Sequence, residues 1–334
     1  MAAEQKTGAN ARAGRGHAST RPLRLPGVKI LPAPVRDHLR SWVINVLRRD
    51  GTAPDYDLPL GDPGLFGPDT VTWKIHADFP SMMAGGLGAL MLQSLHPLAL
   101  AGVWDHSDFR NDTLARLRGT ITFVARTTYA PRAPAEQAIE RVRAIHRKVH
   151  GVASDGRAYR AEDPQLLNWV HCTEAWSFLQ GYQTYCHHTV PRTLQDRYLQ
   201  ETAHVAEALG ARDVPESLAE LEAYFQAVRP ELVYDERTRT VLGVLDTIHL
   251  PIPLSGISRG LFLGAGAALL PDWALVLMEK SRRERLRDQV AARSLKIIAP
   301  SIRDAIAEGG LAWRACARTG ANYMDLFRWP EGEN

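Results

Sequence analysis

The chain has 334 residues, of which 45% are hydrophobic and 23% are charged. This composition is typical of a globular protein with a sizeable core, and it excludes a fibrous or wholly disordered chain. Forty lysines and arginines against 37 acidic residues give a net charge of +3, and the basic residues are dispersed among the acidic ones. Because nucleic-acid binding requires a concentrated basic patch, we expect no nucleic-acid partner.

The N-terminal segment, residues 1–28, is rich in alanine, glycine, arginine and polar residues and shows no apolar periodicity. Burial cannot offset the entropy of ordering such a segment, so it predicts a disordered tail before one domain at 29–330. The tail also lacks the apolar core of a secretory signal.

The three cysteines, Cys172, Cys186 and Cys316, fit neither a disulfide framework nor a zinc ribbon, which favours a reducing, cytoplasmic location.

The first part of the domain predicts one helix and one long loop. In residues 33–50, apolar side chains recur at three- and four-residue steps, the signature of an amphipathic helix. Residues 51–78 are crowded with proline, glycine and aspartate, which favour turns and interrupt helices. We therefore expect an ordered loop there, or a lid over a pocket.

Residues 79–104 contain no aspartate, glutamate, lysine or arginine, so by length they could span a membrane. Polar residues interrupt the middle of this stretch, and Pro97 would break a helix there. A buried core helix is therefore the favoured interpretation, with membrane association at most peripheral. The glycines Gly85, Gly86 and Gly88 do not match a nucleotide-binding loop and favour close helix packing or close approach to a flat ligand.

The remaining chain is dominated by helical periodicity. Residues 111–129 predict a helix that Asn111 or Asp112 caps, and residues 134–151 predict the helix with the clearest limits, between Pro134 and Gly151. Alternating, strand-like patterns are almost absent, so the fold class is predicted to be all-α in a single multi-helix domain. Further helices are predicted over residues 163–188, 192–210, 215–232, 236–250 and 272–292.

The helix predicted at 134–151 carries Arg143, His146 and His150 on one side, because steps of three and four residues return to nearly the same azimuth. A lone inward histidine is most often an ordinary core residue. A pair at this spacing is also half of a metalloprotease zinc site, but Arg147 stands where the catalytic base would be needed. Zinc is therefore the less favoured metal.

Haem is the alternative group for this face. Its iron accepts one neutral imidazole, its rim needs apolar and small residues, and its propionates pair with arginine. The preceding helix offers Arg116 and, one turn later, Thr120. An ordinary solvated charge face would also account for that pair.

Several motifs in a fixed order resemble the mpaB and rubber oxygenase catalytic-domain family. They are "HP", "DHSDF", R-x-x-x-T, R-x-x-H-x-x-V-x-G, "DGRAY" and "WVH", and the resemblance covers about residues 65–300. It implies an all-α fold with a globin-like core that binds haem b. It also implies that His146 is the proximal iron ligand, that Arg143 assists it, and that Arg116 and Thr120 support the site.

The chain departs from the rubber-cleaving branch at two points. Gly119 replaces the lysine before the motif threonine, and "MLQSLHPLALAGVW" lacks the acidic residue of that branch. His150 stands where that branch has an arginine, and it is expected at the cofactor as a partner of the ligand or as a rival axial ligand. His171, in the "WVH" motif, is also expected at the cofactor.

The favoured function is therefore a haem b-dependent oxidoreductase of the oxygenase type. Its expected partners are haem, O2 or peroxide, and a hydrophobic, unsaturated small molecule. One alternative is a haem-binding or haem-sensing protein without turnover, because that function also needs an axial ligand. The other alternative is the zinc protein based on the His-x3-His spacing of His146 and His150.

Overall fold

The computed structural model describes residues 32–47, 55–186, 189–248 and 255–329. Over these ranges the chain is mostly α-helical, as predicted, and its one sheet is a two-stranded hairpin. The tail predicted at residues 1–28 lies outside them. The helices are α1 (Ala33–Leu47), α2 (Val71–His76), α3 (Phe79–Gln93), α4 (Pro97–His106), α5 (Thr113–Tyr129), α6 (Arg132–His146), α7 (Pro164–Tyr185), α8 (Arg192–Leu209), α9 (Leu218–Val228), α10 (Glu236–Leu245), α11 (Ser255–Ala267), α12 (Asp272–Leu277), α13 (Arg282–Ile306) and α14 (Leu311–Thr319). The strands are β1 (His150–Val152) and β2 (Ala158–Arg160), and short 3-10 turns cover Arg229–Glu231 and Tyr323–Phe327.

Helix α2 lies inside the segment predicted to be a loop, residues 51–78. Thr70 caps this helix by accepting a hydrogen bond from the backbone N–H of Trp73. Trp73 is fully buried, and its indole N–H donates to the Thr128 carbonyl at 2.8 Å while the Tyr129 hydroxyl donates to the Trp73 carbonyl at 2.9 Å. The loop prediction is wrong here because contacts with α5, which are remote in sequence, stabilise a helix too short to show a period.

The single helix predicted over residues 272–292 is two helices, α12 and α13. Glu279 lies between them with a left-handed backbone (φ 54°), which ends the first helix. Ser281 and Glu284 then form a reciprocal capping box that starts α13. The prediction of one helix is wrong because local capping outweighs the continuous apolar periodicity.

Helices α3 and α7 pack closely through glycines in the centre of the molecule. A Cβ atom on Gly85 would lie 2.7 Å from the Ser177 carbonyl oxygen, and one on Gly181 would lie 2.6 Å from the Ser81 carbonyl oxygen. Large apolar residues from these helices and from α8 and α9 then form the main core. The predicted use of Gly85 for close helix packing is confirmed.

Replacing Gly181 by alanine is expected to destabilise the protein by about 1–3 kcal/mol, because the new methyl group would force the α3 and α7 backbones apart. Gly243, in the exposed part of α10, is the matched control, since a Cβ atom there would meet no atom within 4 Å. Alanine at Gly243 should instead stabilise the helix by up to about 1 kcal/mol. Urea unfolding measures both changes, and equal effects would contradict tight packing at Gly181.

The apolar segment 79–104 is divided into α3 and α4, which meet at an angle of 103°. Pro97 starts α4, and His96 caps it by accepting a hydrogen bond from the Ala99 N–H. In the described ranges no single helix has the length and apolarity to cross a membrane, although this bent pair meets the same criteria taken together. Most of α3 is buried, so it is a core helix as predicted.

Helix α6 is shorter than the helix predicted over residues 134–151. It ends at His146, and His150 begins strand β1 instead. Gly151 pairs with Tyr159 across the hairpin, where a Cβ atom on Gly151 would lie 2.7 Å from the tyrosine hydroxyl oxygen. The prediction that His146 and His150 lie one turn apart on one helix face is therefore wrong.

Candidate functional site

The site is built first on helix α5. Asp112 caps this helix by accepting a hydrogen bond from the Ala115 N–H at 3.0 Å, which fixes the helical register of the residues that follow. Arg116 and Thr120 consequently lie one turn apart, and the Arg116 Nη1 atom donates to the Thr120 hydroxyl oxygen at 3.3 Å. A guanidinium group and a hydroxyl are thus held side by side, as their spacing requires.

His146 is the last residue of α6 and lies near this pair. Its ring is half-buried, and the Nδ1 atom is enclosed without a hydrogen-bond partner in the described structure. Burial lowers the pKa of His146, and the positive charge of Arg116 lowers it further. The imidazole is therefore neutral at neutral pH, with a lone pair available to a ligand.

Helix α7 contributes His171 and, one turn later, Glu174. Burial lowers the pKa of His171 to about 4, and its Nε2 atom is enclosed without a partner among the described residues. Burial also raises the pKa of Glu174 to about 7, although a hydrogen bond with Gln93 and the charge of Arg116 both oppose this change. The carboxyl group of Glu174 therefore exchanges its proton near neutral pH.

We infer from the accessibility and the hydration of these side chains that they line a recess. Arg116 is exposed, and His146, His171 and Glu174 are each half-buried. Loss of hydration is nevertheless the largest cause of the pKa change at all four. A side chain that keeps accessible surface while protein surrounds it lies in a hollow and not on a convex surface.

Glu174 is expected to make the protein less stable as the pH rises from about 4.5 to about 7. Its pKa is about 7 in the folded chain against an ordinary value of 4.5, so between these values only the folded state holds the proton. The free energy of unfolding therefore falls with rising pH, by about 3 kcal/mol for this group.

Urea unfolding of the native protein and a Glu174→Gln variant between about pH 5 and pH 8 measures this change. The other titrating groups are common to both proteins, so they cancel in the difference between the two stability curves. The native protein should lose stability relative to the variant as the pH rises. Parallel curves would mean that Glu174 is already ionised in the folded protein.

Two predicted site residues make their described contacts elsewhere. Arg143 lies on α6 with a partly exposed side chain, whose guanidinium donates to the Glu140 carboxylate at 2.6 Å. His150 is exposed in β1, where its carbonyl oxygen is 3.2 Å from the Nε2 atom of His106. Neither has a described contact with Arg116, Thr120 or His146.

The loss of the histidine pair removes the basis of the zinc alternative. That alternative depended on His146 and His150 sharing one helix face, and the two residues instead belong to a helix and a strand. Within the described ranges, no group of three or more histidine, cysteine, aspartate or glutamate residues is arranged to hold a metal ion. Haem iron differs from zinc in needing only one protein ligand.

Another half-buried histidine, His76, provides an informative contrast. Its Nδ1 atom lies 2.9 Å from the Thr128 hydroxyl and its Nε2 atom lies 3.0 Å from the Tyr198 hydroxyl. Burial lowers its pKa to about 3, so this ring is neutral too. Both nitrogens of His76 therefore have partners inside the protein, whereas one ring nitrogen of His146 and one of His171 has no partner among the described residues.

Glu174 and Gln93 are the residues of the recess that the sequence did not reveal. Gln93 appears in the sequence only as a polar interruption of an apolar run, and Glu174 only as a charge on a helix. The step of three residues from His171 to Glu174 is the one local signal that could have drawn attention to the carboxylate. Its electrostatic interaction with Arg116 depends on the tertiary arrangement of α5 and α7.

The chain was compared with protein families, curated proteins and solved structures. The family described as ER-bound oxygenase mpaB/B'/Rubber oxygenase, catalytic domain, matches residues 73–299, which is more than half of the chain. No curated protein and no solved structure matches it. The matched range extends from α2 into α13 and includes every residue of the recess described above. This chain therefore belongs to the mpaB/rubber oxygenase catalytic-domain family, a family of oxygenases.

Proposed function

We propose that this chain is a haem b-dependent oxygenase in which His146 binds the iron. In this proposal O2 or peroxide reacts with a hydrophobic, unsaturated small molecule. The observation that carries it is the neutral imidazole of His146, which lies beside Arg116 and whose Nδ1 atom has no hydrogen-bond partner among the described residues. Family membership supports the oxygenase class. The globin-like haem core implied by the resemblance is part of the same proposal.

The residues present fit a haem group in three respects. The enclosed nitrogens of His146 and His171 cost about 1–3 kcal/mol each when left unpaired, and a bound group would relieve that cost. Arg116 places a positive charge in the recess, and carboxylates such as haem propionates are its preferred partners. Phe123 and Val124 are half-buried and lie on the same side of α5 as Arg116, two turns further along the helix. They provide apolar surface for a flat macrocycle.

Each side chain then has a defined task in the proposed enzyme. His146 would hold the group through its imidazole, and Arg116, positioned by Thr120, would bind and neutralise a carboxylate. Glu174 can accept or release a proton close to Arg116 at neutral pH. Bound haem would supply the redox chemistry that none of these side chains can perform.

Absorption spectroscopy of the protein expressed with sufficient haem tests the proposal. Spectra of the oxidised and dithionite-reduced protein should show a Soret band, and titration with haemin should saturate at about one haem per chain. A protein that is colourless as isolated and stays colourless during the titration would contradict the haem assignment.

A haem-binding or haem-sensing protein without turnover is the second candidate function. The observation that favours it is Gly119, which provides no side chain at the position where the rubber-cleaving branch has lysine. Oxygen consumption by the haem-loaded protein with unsaturated lipids separates the two functions. Consumption that depends on the lipid supports the oxygenase, whereas haem binding without consumption supports the sensor.

A further inference from the structure

Three of the four large aliphatic side chains in the first sixteen residues of α13 lie on the outside of the protein. These three residues form what we name the α13 stripe: Leu286, Val290 and Ile297, which are 59%, 53% and 77% exposed. They recur at steps of four and seven residues, so they share one helix face over about 16 Å. The buried side of the same helix instead carries Asp288, Leu295 and Ala299. Aliphatic side chains are ordinarily buried and aspartates ordinarily exposed, so the three exposed aliphatic residues and the buried Asp288 both depart from the usual preference.

Arginines flank the α13 stripe on both sides. We name as the arginine border four exposed residues that lie around the stripe on the helix surface: Arg282, Arg283, Arg287 and Arg293. The two acidic residues of the same region do not balance them. Asp288 is buried and pairs with Lys280 at 2.5 Å and, at the longer distance of 4.0 Å, with Arg287, and Glu284 accepts hydrogen bonds from Ser281 in the helix cap. The four guanidinium groups of the border therefore still exceed the acidic charge beside them. The exposed face of α13 is therefore both aliphatic and positively charged.

Helix α11 packs against α13, since a Cβ atom on Gly264 would lie 2.6 Å from the Ala291 side chain. It carries a further exposed aliphatic residue, Ile257, which is 69% exposed.

We infer that the exposed face of α13 docks onto the surface of an anionic lipid bilayer. Aliphatic side chains on one helix face can enter the boundary between headgroups and acyl chains while flanking arginines bind lipid phosphates. A soluble acidic partner would require only the arginine border, and a second copy of the chain would bring two positively charged faces together. A negatively charged bilayer complements both the stripe and its border. This inference does not depend on the cofactor proposal.

Vesicle sedimentation of the full chain tests the inference. The two preparations are pure phosphatidylcholine and phosphatidylcholine containing about one third phosphatidylserine, a fraction chosen to give a strongly negative surface. We expect binding to the anionic vesicles to exceed binding to the neutral ones by about tenfold or more, and to weaken as salt screens the arginines. Absence of binding to the anionic vesicles would overturn the inference.

Two variants test which side chains carry the binding. Serine at all three positions of the α13 stripe, or glutamine at all four positions of the arginine border, should each reduce binding to anionic vesicles by about tenfold or more. Val276→Ser and Leu60→Ser are the controls, because both residues are exposed aliphatics outside the stripe, at 67% and 75%. They should bind as the native protein does, and circular dichroism confirms that every variant is folded.

The other possible occupants of this face give different results. Analytical ultracentrifugation shows whether the chain self-associates. Self-association that the serine variant abolishes, without vesicle binding by the native protein, would assign the face to a second copy and overturn the lipid inference. Binding lost in the glutamine variant but retained in the serine variant would point to a purely electrostatic partner and would also overturn it.

Discussion

Replacing His146 by alanine is expected to abolish stable haem binding and, with it, any oxygenase activity. The variant removes a neutral imidazole that lies beside Arg116 and whose Nδ1 atom has no partner within the described part of the chain. Haem without an axial protein ligand is held only by apolar contact and by propionate pairing, so its affinity should fall by at least about a hundredfold. This is the largest functional effect we expect from one substitution.

His150→Ala is the matched control for this experiment. The two histidines are four residues apart in sequence, but His150 is exposed in β1 and has no described contact with the recess. Haemin titration followed at the Soret band should give native affinity for His150→Ala and little or no saturable binding for His146→Ala. Equal losses in both variants would show that the hairpin moves onto the recess. Native binding by His146→Ala would eliminate His146 as the ligand.

Much of the helical framework could be predicted from the sequence because its signals are local. The helical periodicity of α5 and a cap at Asn111 or Asp112 predicted a helix that the structure contains, with Asp112 as the cap. The boundary between α12 and α13 also had a local signal, since Ser281 and Glu284 have the spacing of a capping box. That signal was outweighed in the prediction by a continuous run of helix-forming residues.

The end of α6 could not be predicted in the same way. Each strand of the hairpin that follows is only three residues long, so neither shows a clear alternation. The hairpin is instead defined by the pairing of Gly151 with Tyr159, and the Tyr159 hydroxyl donates to the Asp105 carboxylate at 2.7 Å. A contact between residues so far apart in sequence has no signature in the spacing of the histidines.

The candidate site was therefore predictable only within single helices. Arg116 and Thr120 share one helix, and their spacing alone places them together. Glu174 meets Arg116 through the packing of separate helices, so no spacing in the sequence reports the pair. Its raised pKa arises from burial, which depends on the tertiary structure as a whole.

Replacing Asp78 by alanine is expected to reduce the free energy of unfolding by about 3–5 kcal/mol, the largest stability effect we expect from one side chain outside the site. Asp78 is fully buried at the start of α3, and the Arg303 Nη2 atom donates to its Oδ2 atom at 3.0 Å. The same guanidinium donates to the Tyr185 carbonyl at 2.7 Å, so one arginine joins α3, α7 and α13. Without the carboxylate, α13 would carry an enclosed, uncompensated positive charge.

Asp57→Ala is the control, because Asp57 also accepts two hydrogen bonds from one arginine, at 2.9 and 2.7 Å from Arg314, but lies exposed to water. Its loss should cost less than about 1 kcal/mol, since solvent screens an exposed pair. Urea unfolding compares the two variants, and similar costs would mean that water reaches Asp78 in solution.

Adding Arg303→Met to Asp78→Ala should recover part of the lost stability, because it removes the unpaired charge while keeping apolar volume. Recovery in the double variant would assign the cost to the buried charge, whereas no recovery would assign it to the cap that Asp78 gives α3.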